Sequence, residues 1–109
     1  MKFILIMILV LPMTAQAAIV SWYGNYFHGR KTASGETYNQ WDYTCASNSH
    51  KIGTKLLVTN PANNKSVVVR VNDTGGFKKY SRTLDLSRGA FLKIAPLNQG
   101  IVKVKIQVL

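Results

Sequence analysis

The N-terminal apolar run constrains this chain most, because it decides how many residues remain to fold. Lys2 is followed by an apolar run at 3–13 and then by residues 14–17, Thr-Ala-Gln-Ala. One cation, a short apolar stretch and a small-x-small end are typical of a secretory signal peptide. The run is shorter than the roughly 20 apolar residues that span a bilayer, although an uncleaved anchor or a buried helix stays an alternative. We therefore predict a signal peptide at 1–17 and one domain at 18–109.

The 92 residues that follow this segment are enough for one modest core. That size excludes dinucleotide-binding α/β folds and multidomain enzymes. Cys45 is the only cysteine, so there is no intramolecular disulfide and no lipid attachment point at the cleavage site. We expect Cys45 to be a small buried residue, since a nucleophilic thiol would need a histidine partner and only His50 is near in sequence. The mature protein is expected to be periplasmic or secreted, with no membrane span and no lipid anchor.

The charge of the chain is strongly positive. Fourteen Lys and Arg residues against four Asp and Glu residues give a net charge of +10. Such a surface favours anionic partners, namely nucleic acid, lipid headgroups or an acidic wall polymer. Export favours the wall polymer, and a nucleic-acid binder would require the signal-peptide prediction to be wrong. Any carboxylate chemistry must come from the four acids, which are Glu36, Asp42, Asp73 and Asp85.

Hydrophobic patterning predicts a mainly β domain. Four segments are rich in β-branched residues or alternate in polarity: 19–23, 55–59, 66–71 and 101–109. The turn-forming residues 60–64 predict a hairpin between the second and third of these segments, and the last strand should have a basic outer face. One helix is predicted over 86–94, with Ser87 in the N-cap position. Short strands, one short helix and long polar loops indicate a small closed β-barrel.

Five collinear motifs carry a resemblance to a known family. They are Ser-Trp-Tyr-Gly at 21–24, Phe-His-Gly at 27–29, Thr-Ala-Ser-Gly-Glu at 32–36, Val-Val-Val-Arg-Val-Asn-Asp at 67–73 and Asp-Leu-Ser at 85–87. In this order and spacing, residues 19–108 resemble the rare lipoprotein A family of septal lytic transglycosylases. The resemblance implies an all-β, six-stranded double-psi β-barrel with one short helix, distantly related to expansins and some cellulases. It also implies an endolytic enzyme that cleaves stem-peptide-free peptidoglycan glycan strands to 1,6-anhydromuramyl ends, with no cofactor, and we expect a monomer.

The acids can be assigned roles within that chemistry. A glycoside hydrolase uses two carboxyl groups, whereas a lytic transglycosylase can use one as acid and then as base if its pKa is raised. Asp73 directly follows the Val-rich strand and matches the family's catalytic aspartate, with a turn-capping aspartate as the alternative. Glu36 matches a family glutamate that positions substrate or tunes the acid, with a carboxylate paired to a cation as the alternative. Asp85 is read as structural, accepting backbone N–H groups before the helix, and as a reserve acid.

Substrate-binding residues are expected in the loops. Tyr26, Phe27 and His28 should line a groove, because aromatic faces stack on sugars. Ser47 stands where the family usually has a histidine, and serine cannot carry a proton as imidazole does. His50 compensates for this if its loop folds toward the cleft, and both side chains are assigned to substrate binding. The same substitution favours the alternative function, a non-catalytic expansin-like module that binds cell wall. No cluster has metal-ligand spacing, so no metal is predicted.

The processing prediction can be tested on exported protein. Signal peptidase is expected to cut after Ala17, because small residues occupy the two positions that the peptidase reads. Intact-mass spectrometry of the exported protein should therefore give a chain that starts at Ala18. A mass that retains residues 1–17, or one that carries a lipid, would contradict the prediction.

Overall fold

Six strands close into one barrel. The computed structural model describes residues 15–75 and 84–109. The strands are β1 (Gln16–Tyr23), β2 (Thr44–Ser47), β3 (Lys55–Asn60), β4 (Lys65–Asp73), β5 (Leu84–Ser87) and β6 (Val102–Val108), with a helix α1 (Arg88–Leu92) and a 3₁₀ turn (Leu97–Gln99) before β6. Their order around the barrel is β1-β5-β2-β4-β3-β6, closed by pairing of β6 with β1. The predicted six-stranded mainly β barrel with one short helix is confirmed.

The strand pairing is mixed. β1 runs parallel to β5 and β2 runs parallel to β4, while the other four pairs are antiparallel. Parallel neighbours cannot be joined by a tight turn, so long connections must cross the barrel. The predicted hairpin is confirmed, since Asn60 pairs with Lys65 across its turn. Asn64 has a φ of 59° in that turn, a conformation that asparagine tolerates better than most residues.

Alternation along the strands places one apolar row inside the barrel. In β4 the inward residues are Val67, Val69 and Val71, each at most 6% exposed. The helix closes the barrel with Phe91, which is fully buried against the same core. Cys45 lies in this core as well, and burial raises the pKa of its thiol to about 12. The expectation of a small buried Cys45 is therefore confirmed, and the raised pKa disfavours the thiolate that a nucleophile requires.

Two strands and the bounds of the helix differ from the sequence prediction. β2 and β5 were not predicted, and the helix begins at Arg88 rather than 86 because the two preceding residues pair with neighbouring strands. The predicted N-cap Ser87 is confirmed, because its Oγ accepts the Ala90 N–H at 3.2 Å. Asp85 lies within β5 and accepts a hydrogen bond from the Ser21 hydroxyl.

The predicted signal segment falls largely outside the described residues. β1 begins at Gln16, so the predicted cut after Ala17 lies two residues into the strand as described. Within residues 15–75 and 84–109, no helix has the length and apolar character needed to cross a bilayer.

Gly89→Ala is expected to destabilise the barrel. A Cβ at this position would lie 2.5 Å from the backbone carbonyl oxygen of Trp41, so the loop before β2 or the helix must move. We expect a loss of about 1–3 kcal/mol in the free energy of unfolding, as for other overpacked sites. Urea denaturation followed by circular dichroism measures it, with the exposed Asn98→Ala as the control. Equal stability of the two variants would contradict this close packing.

Candidate active site

The candidate site lies on the outer face of β1, β5, β2 and β4. Strand register aligns Ser21 with Asp85, Asp85 with Ala46, and Ala46 with Asp73. Val20, Leu84, Leu86 and Cys45, which flank Ser21, Asp85 and Ala46 in the chain, belong to the core, so by alternation these three residues occupy the opposite face. Asp73 joins this row through a register shift, since Cys45 pairs with Val71 but the next residue, Ala46, pairs with Asp73. Two strand spacings, about 10 Å, therefore separate the backbones of Asp73 and Asp85, and the small Ala46 lies between them.

Asp73 has one carboxylate oxygen fixed by the backbone. Its Oδ1 accepts the N–H groups of Ala33 and Thr74, each at 2.9 Å. Among the described residues no hydrogen bond reaches Oδ2. A register shift between Cys45 and Ala46 in the β2–β4 pair accompanies this geometry, and such irregularities commonly re-aim side chains. The half-buried carboxyl group thus has a fixed orientation and, within the described residues, one oxygen without a hydrogen bond.

The loop 32–36 is hydrogen-bonded to the last residues of β4. Gly35, at a φ of +86°, allows the tight turn in which the Thr32 N–H donates to the Glu36 carbonyl at 2.8 Å. The Ser34 N–H donates to the Asn72 carbonyl at 3.1 Å. These bonds hold the Ala33 N–H where it reaches Asp73. The loop therefore fixes the orientation of the candidate acid through a backbone hydrogen bond.

Glu36 is paired with Arg70 rather than directed at Asp73. The guanidinium Nη1 and Nη2 lie 2.5 and 2.8 Å from the two carboxylate oxygens. Hydrogen bonding from Arg70 holds the pKa of Glu36 below its usual range. Because the folded pKa is depressed, the pair contributes to stability above the unfolded pKa, and the contribution is lost as pH falls through the folded one. This is the cation pairing expected as the alternative for Glu36, and it favours the ionised form of the carboxyl group.

Ser47 and His50 lie together at the end of β2. The Ser47 Oγ, in a residue only 1% exposed, accepts the N–H groups of Ser49 at 3.2 Å and His50 at 3.1 Å. The same oxygen is 3.2 Å from the His50 Nδ1, so its own proton can be donated to the imidazole. Next to them, the Asn48 side chain bonds the backbone of Gly75, two residues after Asp73. Ser47 therefore orients His50, and this loop borders the segment after the candidate acid.

The predicted aromatic residues are exposed beside this face. Tyr26 is 71% exposed and Phe27 is 44% exposed, and their rings meet edge to face with centroids 5.0 Å apart. The Arg30 guanidinium lies 4.2 Å from the Tyr26 ring centroid. His28 is exposed, and its Nδ1 accepts the Gln40 N–H at 3.2 Å. Trp22 packs against the core, with its indole N–H donating to the Leu97 carbonyl at 3.1 Å.

Sequence reasoning missed Arg70 and Ser21 as members of the site. A cation inside the run Val67–Val71 was the available signal for Arg70, since an alternating strand exposes every second residue. Ser21 carried no signal of its own, because its partner Asp85 is 64 residues away. Each of these residues contacts a partner that is distant in sequence, and the two contacts exist only in the folded barrel.

Comparison with known proteins places this geometry in a family. The family described as lytic transglycolase matches residues 15–106. The chain is 47% identical over 91 residues to the endolytic peptidoglycan transglycosylase RlpA of Campylobacter jejuni, covering 84% of this chain and 33% of the relative. It is 46% identical over 92 residues to the RlpA of Neisseria meningitidis serogroup A, covering 84% and 38%. The chain thus spans about a third of the length of the curated relatives it matches.

Solved structures share the fold at lower identity. The Streptomyces papain inhibitor superposes with a TM-score of 0.71 at 23% identity, covering 90% of this chain and 97% of its own. A variant of Clavibacter michiganensis expansin in complex with cellohexaose superposes with a TM-score of 0.69 at 20% identity, covering 88% and 50%. At these identities the likeness describes the barrel alone.

Removal of Arg70 is expected to raise the pKa of Glu36. In Arg70→Gln the carboxylate loses two hydrogen bonds and the adjacent positive charge, so its pKa should return toward the ordinary glutamate value. The measurement is a ¹³C NMR pH titration of the Glu36 side-chain carbon. Lys55→Gln is the matched control, because Lys55 pairs with Arg70 across β3 and β4 but is not bonded to Glu36. An unchanged titration in Arg70→Gln would show that the ion pair does not form in solution.

Proposed function

The chain belongs to the lytic transglycolase family, and on that premise we propose that it cleaves stem-peptide-free glycan strands of peptidoglycan, leaving 1,6-anhydromuramyl ends. Relatives 46–47% identical to it are named endolytic peptidoglycan transglycosylases. The single observation that carries the proposal is the Asp73 carboxyl group, with Oδ1 held by two backbone N–H groups and Oδ2 without a hydrogen bond among the described residues.

One carboxyl group is sufficient for this reaction. Protonated Asp73 donates its proton from Oδ2 to the glycosidic oxygen as the bond from that oxygen to the muramyl C1 breaks. Positive charge develops at C1 and the ring oxygen. The Asp73 carboxylate then takes the proton of the muramyl 6-hydroxyl, whose oxygen bonds to C1 and closes the 1,6-anhydro ring. Asp73 ends protonated as it began, and no water is consumed.

Glu36 supports this cycle through position rather than proton transfer. Its pairing with Arg70 favours the ionised form, which cannot donate a proton. The pair anchors the loop whose Ala33 N–H reaches Asp73. Asp85, about two strand spacings from Asp73, is a reserve acid on the same face, and its hydrogen bond from Ser21 orients it.

The substrate is proposed to lie along the same outer face. The exposed rings of Tyr26 and Phe27 suit stacking on pyranose rings, with His28 next to them. His50, oriented by Ser47, borders the other side near Gly75. Exposed Lys103 and Lys105 on β6 add positive charge that favours an anionic wall polymer. We propose that the mature protein works as a monomer in the periplasm or as a secreted protein, after loss of its signal peptide and without a lipid anchor.

A non-catalytic wall-binding module is the second candidate. Ser47 replaces the histidine of the family motif, and its Oγ is buried and occupied by two backbone donors. A serine held in this way cannot exchange protons with substrate. The same barrel and basic surface would still bind glycan, so the products formed from peptide-free glycan distinguish the two functions.

Asp73→Asn is expected to abolish most cleavage while preserving binding. The amide keeps the shape of the carboxyl group and its Oδ1 acceptor but carries no transferable proton. Release of anhydromuramyl ends should fall by about 10²–10⁴-fold, as measured by mass spectrometry of digests of peptide-free glycan. Glycan binding should be retained, because stacking and hydrogen bonding lie elsewhere on the face.

Matched variants sharpen this test. Asp42→Asn, at an exposed acid outside the site, should leave cleavage unchanged. Glu36→Gln should lower it by a similar or smaller factor, and Ser47→His should raise it if the missing imidazole limits the wild type. If the wild-type protein binds glycan but releases no anhydromuramyl ends, the enzyme proposal is wrong and the wall-binding module is favoured.

A further inference from the structure

Tyr23 is held rigidly at the edge of the candidate site. It ends β1, two residues after Ser21, and therefore lies on the same outer face of the barrel. Its ring stacks on Tyr38 with centroids 4.4 Å apart and meets Phe27 edge on at 5.7 Å. Its carbonyl oxygen accepts the Tyr38 hydroxyl at 2.6 Å. With two ring neighbours and a fixed backbone, the side chain has little freedom to choose another partner.

The hydroxyl group of Tyr23 is buried and unsatisfied. Its oxygen is shielded from solvent, and no described residue makes a hydrogen bond with it. Buried polar groups in folded proteins nearly always have a partner, and leaving one without a partner costs free energy. The stacked neighbour Tyr38 satisfies its own hydroxyl through a backbone carbonyl, so of these two tyrosines only Tyr23 has a hydroxyl without a partner among the described residues.

The two site carboxylates lie on the same face as this hydroxyl, because Asp85 pairs with Ser21, two residues before Tyr23, and Asp73 follows on the far side of Ala46. Burial is the largest cause that raises the pKa of Tyr23, and the charges of Tyr38, Asp73 and Asp85 raise it further. The phenol is therefore protonated at every physiological pH, so it is a neutral hydrogen-bond donor beside two acids. Neither Asp73 nor Asp85 accepts this proton in the structure, since the Tyr23 hydroxyl has no partner in the described chain.

We propose that Tyr23 is a substrate-binding residue whose hydroxyl donates a hydrogen bond to a sugar oxygen entering between Asp73 and Asp85. This assignment rests on the glycan substrate proposed above and adds a donor that fixes one pyranose against the acids. The Tyr23 hydroxyl then gains its hydrogen-bond partner only when the glycan is bound. An oxygen held there lies on the same face as Oδ2 of Asp73, which accepts no hydrogen bond from the described residues, so binding and proton donation act on one sugar.

Tyr23→Phe removes only the oxygen and tests the proposal directly. Because no hydrogen bond is lost in the free protein, Tm should stay the same or rise. Affinity for peptide-free glycan, measured by isothermal titration calorimetry, should fall about 2- to 10-fold, the effect of one hydrogen bond. The value of kcat/KM for release of anhydromuramyl ends should fall by at least the same factor.

Two tyrosines provide the controls. Tyr38→Phe loses its bond to the Tyr23 carbonyl and should lower Tm. Tyr43→Phe, at a ring 45% exposed beside Lys93, should change neither stability nor binding. A lower Tm in Tyr23→Phe with wild-type affinity would mean that the hydroxyl is structural, and the proposal would be wrong.

The binding and cleavage measurements together distinguish the Tyr23 assignment from the proposed cleavage reaction. Wild-type protein that binds glycan without cleaving it, together with weakened binding by Tyr23→Phe, would retain Tyr23 as a binding residue and overturn only the enzyme. Cleavage by the wild type with unchanged binding and kcat/KM in Tyr23→Phe would overturn only Tyr23. If the wild type neither binds nor cleaves the glycan, both proposals are overturned.

Discussion

The architecture depends on the pairing of β2 with both β4 and β5. This strand has only four residues, all of them buried, and it joins the parallel β2–β4 pair to the β1–β5 pair. Without it the sheet would open between β5 and β4 and expose two unpaired edges. The same pairing positions the candidate site, because Ala46 pairs with Asp73 on one side and with Asp85 on the other.

The four acids of the domain have distinct surroundings on this frame. Asp73 is held by backbone N–H groups, Glu36 by a guanidinium and Asp85 by a serine hydroxyl, while Asp42 is exposed. The Asp73 arrangement fixes one oxygen through two backbone donors, without a full positive charge bonded to it. Identical chemical groups therefore acquire different roles from what the chain places next to them, which is how environment separates acids and bases in other active sites.

Sequence alone predicted much of the barrel and part of the site. The β-branched runs identified β1, β3, β4 and β6, because their burial leaves a strong periodic pattern. The segments 44–47 and 84–87 were missed, since they are short and owe their extended form to neighbours on both sides, which overrides weak local preference. Asp73 and Glu36 were recognisable from their motifs. The partner of Glu36, the donors to Asp73 and the unsatisfied hydroxyl of Tyr23 were not, because each depends on contacts between distant segments.

The seam between β1 and β6 has a consequence for how the chain folds. Gln16 pairs with Ile106 and Val20 with Val102, so one edge of the first described strand finds its partner only in the last strand. Closing a loop of this length is slow compared with forming a local hairpin. Until β6 arrives, β1 and β3 both present open edges, and open edges recruit strands from other molecules. The hairpin of β3 and β4 can form early, whereas the closed cylinder must wait for its final strand, and that interval is when the molecule is most prone to aggregate.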